Sequence, residues 1–113
     1  NYAGNFPIWL APIQIVIMSI TSRNNSSCLK VQEKLSQKGY RAESDIRNEK
    51  IGLKIREQTI QRVPYLIIIG DKEESKDEVS VRTREGQDLG SMRLNQLESI
   101  LDRSITMKGR IST

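Results

Sequence analysis

Histidine is absent from this chain of 113 residues, and cysteine occurs once, as Cys28. The first absence excludes His-containing zinc sites, Ser-His-Asp and Cys-His pairs, and any histidine general base. The second excludes an intrachain disulfide framework. A chain this long buries roughly two-thirds of its unfolded surface, so one domain can fold on its hydrophobic core alone. Aromatic residues make up only 4%, which leaves few platforms for stacking bases. Gly and Pro, at 7 and 3, are too sparse for a collagen-like or low-complexity chain. The longest mostly apolar stretch, Ile8 to Ile20, is interrupted by Pro12 and Gln14 and falls short of the ~20 residues a membrane span needs. No Lys or Arg precedes it, the first being Arg23, so it does not read as a signal peptide. Walker-A, GxGxxG and GxSxG motifs are all missing. There is no initiator Met and residue 1 opens in mid-pattern, which predicts a segment of something larger. These features describe a small, soluble, non-catalytic domain. The formal charge of +4, from 18 Lys+Arg against 14 Asp+Glu, favours a polyanionic partner only where the positive charges cluster.

What is present alternates between two hydrophobic periods. Pro12 to Ile20 (PIQIVIMSI) is a β-branched run that predicts a strand buried on both faces, as in a parallel sheet. A polar loop over residues 21–27 follows, in which Asn25, Ser26 and Ser27 are all good helix N-caps. A helix then reaches to about Lys38 with Cys28, Val31 and Leu35 on one face, and Gly39 stops it. Tyr40, Ala42 and Ser44 alternate with charged residues in a short strand ending at Asp45. The helical pattern returns from about Glu49 to Val63, and Pro64 ends it. Tyr65 to Ile69 (YLIII) is another fully buried strand, closed by Gly70-Asp71, and Lys72 to Glu78 reads as a charged loop. Val79, Val81 and Thr83 alternate with Ser80, Arg82 and Arg84, giving a strand with one buried face and the antiparallel member of the sheet. Glu85-Gly86 is a turn, residues 88–92 a short edge strand. Leu94, Leu97, Leu101 and Ile105, with Ile100, mark a final helix. The alternation predicts an α/β sandwich with helices on both faces of a largely parallel sheet.

Cys28 is the one candidate nucleophile, and its shared face with Val31 and Leu35 makes it a packing residue. Placed on a helix, Lys50, Lys54, Gln58 and Arg62 form a drifting polar stripe, opposite an apolar arc of Leu53, Ile55, Thr59, Ile60 and Val63. With Arg47-Asn48 in the loop before it, this stripe suits a phosphate backbone, and it equally suits an ordinary solvated face. Arg56 falls inside the apolar arc, which predicts a structural ion pair with Asp45 or Asp71. The segment Asp71-Lys72-Glu73 and the polar face bearing Arg82 and Arg84 should share one sheet edge, where such a mixture suits base edges or plain surface charge.

Three stretches, FPIWLAPIQIVIMSI, DIRNEKIGLKIREQTIQRVPYLIIIGDKE and VSVRTREGQDLGSM, resemble the C-terminal anticodon-binding domain of bacterial-type threonyl-tRNA synthetases over roughly Asn1 to Ile105. The resemblance implies a three-layer α/β/α sandwich: a five-stranded mixed sheet, mostly parallel with one antiparallel strand, and three helices. It implies a linker from a catalytic domain over residues 1–11, the anticodon-binding domain over 12–106 and a tail over 107–113. By motif match, the anticodon bases would be read by Asn48 (RNEK), Arg62 (RVPY), Glu73 (GDKE) and Arg82 (VRTR). Arg47, Lys50, Lys54 and Arg84 would hold the RNA backbone. The partner implied is the anticodon loop of threonine tRNA, with readout concentrated on the second and third bases. Catalysis would belong to another part of the polypeptide, with ATP, Mg and Zn, and no cofactor, metal or catalytic residue here. The resemblance further implies a homodimeric cytoplasmic or organellar ligase, a monomeric isolated domain and no membrane partner. A non-enzymatic adaptor or a freestanding regulatory RNA-binding protein on the same fold need not keep the Asn48, Arg62, Glu73 and Arg82 quartet. Two positions depart from the family pattern: Gln61 stands where a second basic residue is usual, and Arg93 where an acidic cap is usual, which predicts a frayed start to the last helix.

Overall fold

The computed structural model of the protein describes residues 11–111. The two apolar runs become its central strands. β1 (Ile15–Ser19) and β3 (Tyr65–Ile69) are buried at every position, because each has a neighbour on both edges and a layer on both faces. β1 runs parallel to β3 on one side and to β2 (Ala42–Asp45) on the other. β4 (Val79–Thr83) is antiparallel to β3, and β5 (Asp88–Met92) antiparallel to β4, giving the order β2-β1-β3-β4-β5. β4 alone opposes the common direction, as its alternating pattern predicts.

Successive side chains on a strand point to opposite faces. Ile15, Ile17, Ile67 and Val81 lie on one face beneath Cys28 and Leu35 of α1 (Asn25–Gln37) and Leu97 and Leu101 of α4 (Leu94–Ile111). Val16, Met18, Leu66 and Ile68 lie on the other, against Ile51 and Ile55 of α2 (Ile51–Ile60). The result is the expected three-layer sandwich. Each fully buried Leu or Ile contributes roughly 1.5–3 kcal/mol, so the two faces together supply most of the drive to fold. No helix among the described residues is long and apolar enough to cross a membrane.

Among the described residues four α-helices form rather than three. The additional one, α3 (Asp71–Lys76), occupies the segment expected to be a charged loop. Its charges match the helix dipole, with Asp71, Glu73 and Glu74 in the first turn and Lys76 in the last. Glu73 Oε1 accepts the Gly70 N–H at 2.8 Å, and Asp77 ends the helix with φ 55. α1 starts earlier than expected, because a 3-10 turn over Ser22–Asn24 leads straight into it and Asn25, Ser26 and Ser27 lie within its first turn. α2 is shorter than the 49–63 pattern. Arg93 cannot cap α4, but Gln96 does so: its Oε1 accepts the Arg93 N–H at 3.0 Å. Ala11, assigned to the linker, is buried and its carbonyl accepts Arg41 Nε at 2.8 Å. α4 continues to Ile111, past residue 106. The rest of the expected linker and the side chain of Ile105 lie outside the described residues.

Candidate functional site

The connection β1–α1–β2 crosses one face of the sheet and β2–α2–β3 the other. The loops leaving β1 and β2 therefore diverge, and a crevice opens between them at the carboxyl end of the strands, the end at which open α/β sheets bind their ligands. Ile20, Thr21, Ser22 and Asn25 line one side of a small cavity there, about 80 Å³; Arg47, Asn48, Glu49 and Lys54 line the other.

Lys54 overturns the sequence reading of α2. It is 1% exposed, and its Nζ donates to Ser19 O at 2.9 Å, Ser19 Oγ at 3.3 Å and Asp45 O at 3.2 Å. An ammonium has three donors and all three are placed, so Lys54 does not hold a phosphate. The buried face is Ile51, Lys54, Ile55 and Gln58, at the spacing i, i+3, i+4, i+7. Leu53 and Ile60 of the expected apolar arc are instead exposed, Ile60 at 68%. Arg56 goes outward with them and takes part in no ion pair among the described residues. The carboxylates expected beside it have other partners. Asp45 accepts from Arg47 Nε and Nη2, each at 2.9 Å, and Asp71 from Arg23 Nη2 at 2.5 Å. The Arg47 bond holds the Asp45 carboxyl below the ordinary range, against the burial that would raise it. Two arcs were possible because apolar residues stand on both sides of the helix; Ser19 and Asp45, distant in sequence, decide between them. Cys28 is buried as expected, and burial pushes its thiol up to about 12, so it is not a nucleophile at neutral pH.

The four expected base readers occupy three places. Asn48, exposed, lies in the loop between β2 and α2; Glu73, half-buried, lies in α3 just past β3. Both are thus at the carboxyl edge, separated by the end of β1. Arg82 pairs in register with Leu66 and so points to the α2 face, yet α2 packs on β1 and β3 and, among the described residues, no helix covers β4 and β5 on that side. Arg62 is at the opposite edge, beyond the far end of α2. The length of β3, about 17 Å at 3.3–3.4 Å per residue, separates it from Glu73.

Arg62 has φ 62, the left-handed conformation. It occupies the position after the α2 cap in a Schellman arrangement, with Arg62 N–H donating to Thr59 O at 3.0 Å and Val63 N–H to Gln58 O at 3.2 Å. Gly39 fills the same position after α1 with φ 97. A side chain in place of glycine costs roughly 1–2 kcal/mol here, and strain of this kind collects at functional positions. Arg62→Gly is expected to raise stability by ~0.5–1 kcal/mol, which thermal melts of the variant and the unaltered chain measure.

Of the expected backbone contacts, Lys50 is exposed at the N-cap of α2. Arg47 is held by Asp45 and by Glu57. Arg84 is largely covered, its side chain 12% exposed, with Nε 3.5 Å from Glu85. Sequence reasoning missed Asn24, which is fully buried. Its Nδ2 donates to Asp71 Oδ1 at 3.0 Å and Glu74 Oε2 at 2.7 Å, and its Oδ1 accepts the Thr21 N–H at 3.2 Å and hydroxyl at 3.1 Å. Nothing local distinguishes it from Asn25.

Residues 14–104 match the family model described as the anticodon binding domain. The chain is 60% identical over 97% of its length to a threonine–tRNA ligase of Prochlorococcus marinus, of which it covers 17%. It is 51% identical over its full length to one of Pseudomonas syringae, of which it covers 50%. The chain thus spans half or less of these curated relatives. Among solved structures, the RNA binding domain of threonyl-tRNA synthetase from Cryptosporidium parvum superposes with a TM-score of 0.86 at 26% identity, over 91% of this chain and 26% of that one. Prolyl-tRNA synthetase of the same organism shares the fold, with a TM-score of 0.78 at 23% identity over 89% of this chain and 22% of that one. With 14–104 spanning both faces of the sheet and the crevice between its loops, the chain belongs to the anticodon-binding domain family.

Proposed function

We propose that the chain is the anticodon-recognition module of a threonine–tRNA ligase, in which Asn48, Arg62, Glu73 and Arg82 read the bases of the anticodon loop and Lys50 holds its backbone. The observation that carries this reading is the face of β4 that α2 leaves uncovered among the described residues. It bears the half-buried Arg82 between the edge bearing Glu73 and the edge bearing Arg62. Single-stranded RNA is read by groups that reach the edges of splayed bases, and these side chains offer donors and acceptors of that kind. The chemistry of the ligase lies elsewhere in such an enzyme, with its ATP, Mg and Zn, and the enzyme is a cytoplasmic homodimer. This chain has no histidine, and among the described residues no group of three Cys, Asp or Glu side chains could hold a metal ion.

Arg82→Ala tests the reading. Loss of a base contact should cost roughly 1–3 kcal/mol and relax discrimination at one base, whereas loss of Lys50 should weaken all sequences alike and lower the salt slope by about one. The measurement is binding of threonine anticodon stem-loops, native and with the second or third base replaced, across a salt series. Equal weakening of native and base-swapped loops by Arg82→Ala would move Arg82 to the phosphate set.

A further inference from the structure

We propose that the buried Lys54 and Asn24 are positioning residues that hold Asn48 and Glu73 at a set spacing through the carboxyl end of β1, and so determine how sharply the domain discriminates bases. The inference rests on the reading that Asn48 and Glu73 are base readers.

β1 lies between β2 and β3, so its end separates the loop bearing Asn48 from the helix bearing Glu73. Lys54 closes the first of these onto β1. The loop begins at Asp45, whose carbonyl accepts from Lys54 Nζ, and ends in the helix that carries Lys54 itself. The same Nζ binds Ser19, the last residue of β1, through both its carbonyl and its hydroxyl. One amino group thus pins both ends of the Asn48 loop to β1. Asn24 does the same on the other side. Its two N–H donors go to Asp71 and Glu74, which bracket Glu73 on α3. Its carbonyl oxygen takes the backbone N–H of Thr21, two residues beyond β1.

Neither side chain can touch RNA, because Lys54 is 1% exposed and Asn24 fully buried. Any effect on recognition must pass through the segments they hold. An apolar side chain of similar volume would continue the Ile51–Ile55 face and release a desolvated charge, but it would leave the Ser19 and Asp45 carbonyls without their donor. What the ammonium adds is direction, since three donors aimed at the ends of two strands admit one arrangement of the loop between them.

The test measures binding of threonine anticodon stem-loops, native and with the second or third base replaced, to the whole chain, well below its melting temperature. Lys54→Met keeps the volume and removes the donors. Asn24→Asp keeps the acceptor for Thr21 and sets a third carboxylate against Asp71 and Glu74. Lys54→Met should lower discrimination about tenfold at the base that Asn48→Ala affects, and Asn24→Asp likewise at the base that Glu73→Gln affects, as when a single base contact is lost. Each should leave the other base and the salt slope unchanged. A purely structural role would lower the melting temperature without this pairing of variant and base. Should Lys54→Met not fold, Lys54→Arg keeps the charge but changes its reach and should show the same selective loss. Folded variants with native ratios at both bases, or with uniform weakening, overturn the inference. If Asn48→Ala and Glu73→Gln themselves leave the ratios unchanged, the base-reading assignment fails and this inference with it. If those two lower the ratios and the Lys54 and Asn24 variants do not, only the positioning role falls.

Discussion

Lys54→Ala is expected to destabilise the domain by ~3–5 kcal/mol, against at most ~0.5 kcal/mol for Arg56→Ala two residues away. The order is the reverse of what helical periodicity alone predicts. The alanine truncates a buried four-carbon stem, a change of the kind that costs ~2–5 kcal/mol in cores. It also leaves the Ser19 and Asp45 carbonyls without their donor, at ~1–3 kcal/mol for each buried group left unpaired. Release of a desolvated charge offsets part of the sum. Arg56 is exposed, so its removal takes away a solvated side chain. In a domain of this size each kcal/mol moves the melting midpoint by roughly 4–8 °C, so the two variants should separate by more than ten degrees on this scale. Equal midpoints would mean that α2 packs with its other face inward.

Asn24→Ala should cost ~2–4 kcal/mol, far more than alanine at the neighbouring, exposed Ser22. Two hydrogen bonds to carboxylates are lost, and bonds of that charge-assisted class are worth ~1.5–3 kcal/mol each. Asp71 and Glu74 recover part of this by hydration, since both are exposed, but they lose the amide that lies between two like charges. The Thr21 N–H loses its acceptor at the same time. Urea denaturation of the two alanine variants, compared with the unaltered chain, measures the difference. A loss below 0.5 kcal/mol would show that the 3-10 turn and α3 are held together chiefly by Arg23 and Asp71.

The places of the candidate residues are legible in the sequence because most of them sit where strands end. Asn48 follows the alternation that stops at Asp45, and Glu73 follows the YLIII run. Arg82 occupies the polar phase of a two-residue period. Strand ends and strand phase are local properties, set by side-chain alternation and by breakers such as Gly70 and Pro64. Arg62 was legible as a basic residue before Pro64, but its left-handed backbone was not, since that conformation usually announces itself as glycine.

The sequence by itself determined the alternation of strands and helices, the two strands buried on both faces, the antiparallel phase of β4 and the place of Cys28 in the core. Each follows from hydrophobic period and run length, which a chain carries wherever its neighbours lie. Only the tertiary structure decided which side of α2 faces inward, that Lys54 rather than Arg56 is buried, and that Asn24 rather than Asn25 holds α3. Those outcomes depend on polar groups brought together from far apart in the chain: Ser19 and Asp45 around Lys54, Asp71 and Glu74 around Asn24. A buried polar side chain is stable only where such partners wait for it, and no local pattern records where strands remote in sequence will end side by side.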